Sequence, residues 1–411
     1  MSSSQRIVVT GLGVVCPIGL NVDEFWKNAT AGKSGIVPIT RFDVEKFYVK
    51  VAGEVKDFDA YDYLDPKAAD RNPRAVHFGV AAAQQAMKMA GIDMSKETPE
   101  RVGVSVSCMS ESDYIVRQAG TLERRGPRRV DPLFVARSGP SAPAMQIGME
   151  FTARGPNTSV NSLCASGADS LGTAMNLMRL GYADVMIAGG SDSSFSPLGI
   201  AGLDILGAVS REPDPAIASR PFDAERSGFV FGEGSGMVVL ETLEHAMARG
   251  AEIIAELGGA GWSFDAYDST APHFEAEAYA MGLAMSQAGV NPDQVQYVNA
   301  HGTSTRLNDP TETQALKLAF GDHAYKLAVS STKSMVGHAI TAAGAIESVV
   351  CAMTIKTGMV HPTINYATPD PECDLDCVPN TAREMPVDVC MTDSFGLGGE
   401  NCVLVFKKFK D

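Results

Sequence analysis

The chain has 411 residues, 45% of them hydrophobic, enough for about two to three conventional domains around a large core. Its net charge of −15 excludes a general attraction to nucleic acid or anionic membrane, and no stretch approaches the roughly 18 uncharged apolar residues of a membrane helix. Eight cysteines without regular spacing exclude a disulfide framework and read as the reduced thiols of a cytoplasmic protein.

The opening MSSSQRIVVTG lacks the basic and apolar regions of a signal peptide. RIVVTGLGVV (6–15) predicts a strand closed by glycines; its Gly-Leu-Gly reads as a tight turn, because the third glycine comes too late for a dinucleotide loop. AVHFGVAAAQQAMKMAGI (75–92) has helical periodicity, and RVGVSVS (101–107) is strand-like again. VNSLCASGAD (160–169) ends an apolar, strand-like run in Cys164, followed by residues of little bulk. ADSLGTAMNLMRLG predicts a buried helix ended by Gly181, with DVMIAGGSDSS (184–194) and GSGMVVLE (234–241) as the strands after it.

The second half repeats this layout. VQYVNAHGTST (295–305) is a strand running into polar residues, LAVSSTKSMVGH (327–338) a strand and turn reaching His338, and AITAAGAIESVVCAMTIKTG (339–358) a small-residue helix. VDVCMTDSFGLGG (387–399) and NCVLVF (401–406) then parallel the closing strands of the first half. Cys164 and His338 each precede a helix rich in Ala, Gly and Ser, which predicts an internal duplication of one α/β unit. Residues 1–250 form the half carrying the cysteine and 251–411 the half carrying His301 and His338, with a shared cleft between their strand ends.

A cysteine at the first turn of a helix faces unpaired N–H groups and the positive end of the dipole, which predicts a lowered thiol pKa and a nucleophile. Ala165, Ser166 and Gly167 leave room for an acyl group whose oxygen reaches the Cys164 N–H. The alternative is a small buried core thiol. His301 and His338, two of only seven histidines, stand at matching strand ends, and with Cys164 they are the equipment of thioester chemistry. No metal site is expected: C-x-x-C and H-x3-H pairs are absent, and Cys373 and Cys377 have no histidine nearby. Ser330-Ser331-Thr332-Lys333 and Lys356-Thr357-Gly358 fit two motifs of penicillin-recognising enzymes, but the intermediate S-D-N is missing.

At these residues the chain resembles the elongating β-ketoacyl-ACP synthases. The likeness rests on the Cys164 junction, HGTST, STKSMVGH, AAGAIES and SFGLGG, with VVTGLGVVCPIG and SRPFDAERSGFVFGEGSGMVVLE, in order from about residue 5 to 407. It implies the thiolase fold, an α/β fold of two similar βαβαβαββ halves in a five-layer α-β-α-β-α sandwich, consistent with the duplication. It also implies that Cys164 takes an acyl chain from the phosphopantetheine of acyl carrier protein, and that His301 and His338 promote decarboxylation of a malonyl thioester. The Cys164 and Phe395 N–H groups would hold the oxyanion, Lys333 and Glu347 would organise the histidines, and Thr303 and Thr305 would bond the pantetheine arm. No cofactor bound by the enzyme is implied, and the partner is a second copy or a ketosynthase-like chain.

RQAGTLERRGPRR (117–129) gathers Arg117, Arg124, Arg125, Arg128 and Arg129 in an acidic chain. Since carrier proteins are acidic, this reads as a docking patch, extended by Lys67, Arg71 and Arg74. Where the family has Gly-Ile-Gly-Gly, this chain has SCMSESD (107–113), so Ser110 and Glu111 are expected to alter the acyl pocket or the partner. The gating loop reads Asp393-Ser394-Phe395-Gly396-Leu397-Gly398-Gly399-Glu400-Asn401, and its Leu397 and two acids point away from ordinary fatty-acid specificity. The alternative is the active ketosynthase of a type II polyketide system, paired with an inactive chain.

Overall fold

The apolar runs become ten strands of one mixed sheet. In the first half these are β1 (Ile7–Val15), β2 (Val102–Ser107), β3 (Asn157–Thr158), β4 (Val185–Asp192) and β5 (Gly234–Thr242). In the second they are β6 (Ala255–Phe264), β7 (Tyr297–Asn299), β8 (Ala328–Ser330), β9 (Val389–Phe395) and β10 (Glu400–Lys407). The structure is a computed structural model that describes residues 5–410; the opening MSSS, read above as no leader, lies outside the described residues.

The spatial order is β8-β7-β9-β10-β6-β1-β5-β4-β2-β3. Taken outward from the centre, each half places its first strand beside its fifth, then its fourth, second and third. The two innermost pairings of each half are antiparallel and the two outer ones parallel. The halves join where Ile7, Val8 and Val9 pair with Leu257, Glu256 and Ala255. The duplication suggested by the sequence is therefore a repeat of topology.

Helices α1 (Arg74–Ala90), α2 (Ser112–Arg125), α3 (Ser166–Arg179), α4 (Phe274–Ala288), α5 (Asn308–Phe320) and α6 (Ala343–Thr357) complete the layers. α1 covers β1 and β5 from outside; α4 covers β6 and β10 and carries α5 against it. Between the two sets of strands, α3 and α6 pack on each other. Every residue of α6 from Ala343 to Ile355 is buried, which is why its sequence is mostly apolar on every face, with Glu347 as its one buried charge. Ile340–Thr357 is long and apolar enough to cross a membrane by length and composition, contrary to the expectation above, but 89% of it is buried inside the protein.

Two local expectations are corrected. The Gly-Leu-Gly is no turn: it lies within β1, where a Cβ on Gly11 would stand 2.1 Å from the Ala86 carbonyl oxygen and one on Gly13 1.9 Å from that of Ala82. These glycines let α1 approach the strand. The runs before Cys164 and His301 shrink to two-residue β3 and three-residue β7, because the polar and glycine residues that follow leave the ladder to build the site.

Candidate active site

After β3 the chain turns through a 3₁₀ segment, Leu163–Ala165, and enters α3 at Ser166. Ser166 Oγ accepts the Ser162 N–H at 2.8 Å and donates to the Leu163 carbonyl at 2.6 Å, tying this turn down. Leu163 is held at φ 49°, a strained value for a branched side chain, and Cys164 packs half-buried against an apolar cluster that contains Ile200, Phe229 and Ile340. The expectation of a lowered thiol pKa is corrected. Burial pushes Cys164 up to about 11, against the pull of the Leu397 backbone N–H and of the Lys333 charge.

His301 and His338 meet this thiol. One donor atom from each of Cys164, His301 and His338 lies within 4.8 Å of the others, and the two imidazoles stand edge to face with centroids 5.4 Å apart. Phe395 abuts His301 at 5.8 Å and Phe229 abuts His338 at 5.3 Å. The Ile340 N–H donates to His338 Nδ1 at 3.2 Å, which assigns the ring proton to Nε2. Burial, then the charge of Lys333, holds both histidines well below the ordinary imidazole value, so both are neutral hydrogen-bond donors at pH 7. Lys333 is paired with Glu347 at 2.5 Å in the core. Its positive charge beside the trio opposes a metal cation there and favours an anionic group.

The His301 loop has a support that the sequence reading missed. Glu312, buried on the second turn of α5, accepts the backbone N–H groups of His301 and Gly302 at 2.7 Å each. Its signal was an acid eleven residues after His301, early in a helix that follows HGTST directly. Thr303, buried, and Thr305, half-buried, have hydroxyls 2.9 Å apart, and Thr305 also caps Asn308 N at 3.1 Å.

Other predicted residues fall elsewhere. The backbone amide of Leu397 acts on the Cys164 thiol, so Leu397 reaches the site through its backbone. Glu111 is buried and accepts the Ala75 N–H at 3.0 Å at the start of α1, while Ser110 is exposed. Arg74 is bound to the fully buried Glu233 through two nitrogens at 3.0 Å, which removes it from the docking patch. Arg124, Arg125, Arg128 and Arg129, together with Lys67 and Arg71, are exposed.

Comparison with known proteins agrees with this geometry. The beta-ketoacyl synthase N-terminal domain matches residues 4–246 and the C-terminal domain residues 254–367. A 3-oxoacyl-[acyl-carrier-protein] synthase 2 of Staphylococcus aureus (strain COL) is 44% identical with all of both chains covered. Among solved structures, the ishigamide ketosynthase/chain length factor superposes with a TM-score of 0.92 at 35% identity, covering 99% of this chain and 100% of that one. A type II PKS acyl-carrier protein in complex with its ketosynthase bound to the hexaketide gives 0.90 at 35% identity with the same coverage. With its thiol and two histidines brought together between duplicated halves that both domain families span, the chain belongs to the β-ketoacyl synthases.

Proposed function

We infer that the chain is a 3-oxoacyl-[acyl-carrier-protein] synthase that lengthens an acyl chain by decarboxylative Claisen condensation. The carrying observation is the meeting of Cys164, His301 and His338, a thiol beside two neutral imidazoles. Cys164 Sγ attacks the acyl thioester of the carrier; the C–S bond to phosphopantetheine breaks, and the carrier thiol leaves with the proton the cysteine gives up. The amides of Leu397 and Cys164, with the Lys333 charge, lower the cost of thiolate in this buried setting.

A malonyl thioester then takes the carrier's place. The His338 Nε2–H and the His301 ring bond its thioester oxygen, the carboxylate leaves as CO₂, and the electron pair of the broken C–C bond passes into the enolate. The enolate carbon attacks the Cys164 thioester, the Cys164 and Phe395 amides hold the resulting oxyanion, and collapse releases the β-ketoacyl product. Thr303 and Thr305 bond the pantetheine arm, and no step calls for a bound cofactor or metal.

The exposed arginines of α2 and of residues 127–129, with Lys67 and Arg71, form the docking surface for an acidic carrier. A second ketosynthase-like chain fits the face where α2, Phe134–Ser138 and Pro197–Ile205 adjoin, since Val135 and Ile205 stand 84% and 87% exposed there. Eight unpaired cysteines suit a cytoplasmic setting. Full-length identity of 44% to 3-oxoacyl-ACP synthases, against 35% to the polyketide ketosynthases, favours fatty-acid elongation over the polyketide alternative. Intact-protein mass spectrometry with a panel of acyl carrier proteins tests this reading: acyl mass on Cys164 is expected, and no gain with any carrier or candidate partner chain overturns it.

A further inference from the structure

A cavity of about 520 Å³ opens at the end of the fold opposite the catalytic thiol. Its wall carries five cations, Arg6, Arg179, Lys407, Lys408 and Lys410, against two carboxylates, Glu256 and Asp388, in a chain whose net charge is −15. Both acids are already occupied. Glu256 Oε2 accepts from Arg6 at 3.1 and 2.8 Å, while Lys407 stands 3.4 Å from Oε1. Asp388 takes Lys410 at 2.9 Å and holds Lys408 only loosely, at 4.0 Å.

Lys407 also donates to the Ala288 carbonyl at 3.1 Å, but other donors are open. Arg179 spends Nη2 on the Gly258 carbonyl at 2.9 Å and its Nε is shut away from solvent, which leaves Nη1 as its donor toward the cavity. Gln287 accepts the Ala260 N–H at 2.7 Å through Oε1, which leaves its amide NH₂ to donate. An unpaired guanidinium N–H, a loosely held ammonium and an excess of positive charge match a ligand with several anionic oxygens. The volume falls within the roughly 300–1,000 Å³ of small-molecule sites.

We propose that this cavity binds a phosphorylated small molecule carrying at least two negative charges. Arg179 is the last residue of α3, which begins two residues after Cys164, and Val389 in the cavity wall begins β9, which ends at Phe395. At about 1.5 Å of rise per helical residue, the bound phosphate stands roughly 20 Å from the thiol, along two elements that reach it.

Titration calorimetry of the full chain at low ionic strength tests the proposal, with inorganic pyrophosphate, ADP and malonate as probes. Saturable one-to-one binding of pyrophosphate is expected, weakening steeply with added salt. Tighter binding of ADP supports a nucleotide as the source, and equal binding supports a bare diphosphate. Arg179→Gln is expected to lower affinity at least tenfold. The doubly exposed pair Lys408→Gln and Lys410→Gln does so without touching the core, while Lys27→Gln, at an exposed lysine outside the cavity, leaves binding unchanged. Absence of saturable binding, malonate binding as tight as pyrophosphate, or full affinity in the Lys408/Lys410 double variant overturns the proposal.

Discussion

Lys333 and Glu347 form an ion pair at 2.5 Å with each side chain only 2% exposed, directly behind the two histidines. A buried pair of this kind is costly to break from one side. Lys333→Ala is expected to lower unfolding free energy by about 3–5 kcal/mol, because Glu347 is left without its counter-charge. The double variant Lys333→Met/Glu347→Leu is expected to regain most of that loss while condensation stays impaired. Urea unfolding midpoints and turnover, measured on the same samples, separate the two effects.

The nucleophile and the histidines are separable by half-reaction. Cys164→Ala is expected to gain no acyl mass from any acyl carrier protein. His338→Ala is expected to acylate normally and to condense about 10²–10⁴-fold more slowly, the ordinary range for loss of a positioned proton donor. Self-acylation of the Cys164→Ala protein at another residue would falsify the assignment.

Glu111 supplies a pH test. Burial, then the neighbouring Asp192, raises its carboxyl to about 7. The folded state therefore binds the proton more tightly than the unfolded one, so stability is lost as pH rises from the unfolded carboxyl value through 7 and is flat beyond. Glu111→Gln keeps an acceptor for the Ala75 N–H and removes this penalty. Its advantage over the parent is expected to grow between pH 5 and 7 and to level off near about 3 kcal/mol, since one pKa unit is worth about 1.4 kcal/mol. Denaturant titrations at pH 5, 6, 7 and 8 give the slope directly.

As the proposed docking surface, the arginine patch is expected to act on encounter rather than on chemistry. Arg124→Glu/Arg128→Glu is expected to lower kcat/KM for carrier-bound substrate at least about tenfold and to flatten its salt dependence. Turnover with a free acyl thioester is expected to hold. A parallel loss with the free thioester would place these arginines in folding or in a subunit contact instead.

Much of this was legible in the sequence. The long buried strands and α1, α3 and α6 were visible because their apolar periodicity is set by burial, and Cys164, His301 and His338 because each ends such a run. The resemblance supplied Lys333, Glu347 and Phe395, whose roles no local pattern reveals. What stayed hidden depended on tertiary placement. Gly11 and Gly13 read as a turn until Ala86 and Ala82 stood against them. Arg74 read as surface until Glu233 claimed it. Glu111 read as pocket until it capped α1. The thiol pKa went the other way because a helix end was weighed without the burial around it.

The repeated strand order has a consequence for how such a centre can exist at all. Cys164 stands between β3 and α3, and His338 between β8 and α6, the same station in each copy of the unit. The two matching positions are unlike: one holds a thiol, the other an imidazole. The symmetry is broken at the site itself, since one half supplies the thiol and the other both imidazoles of the trio.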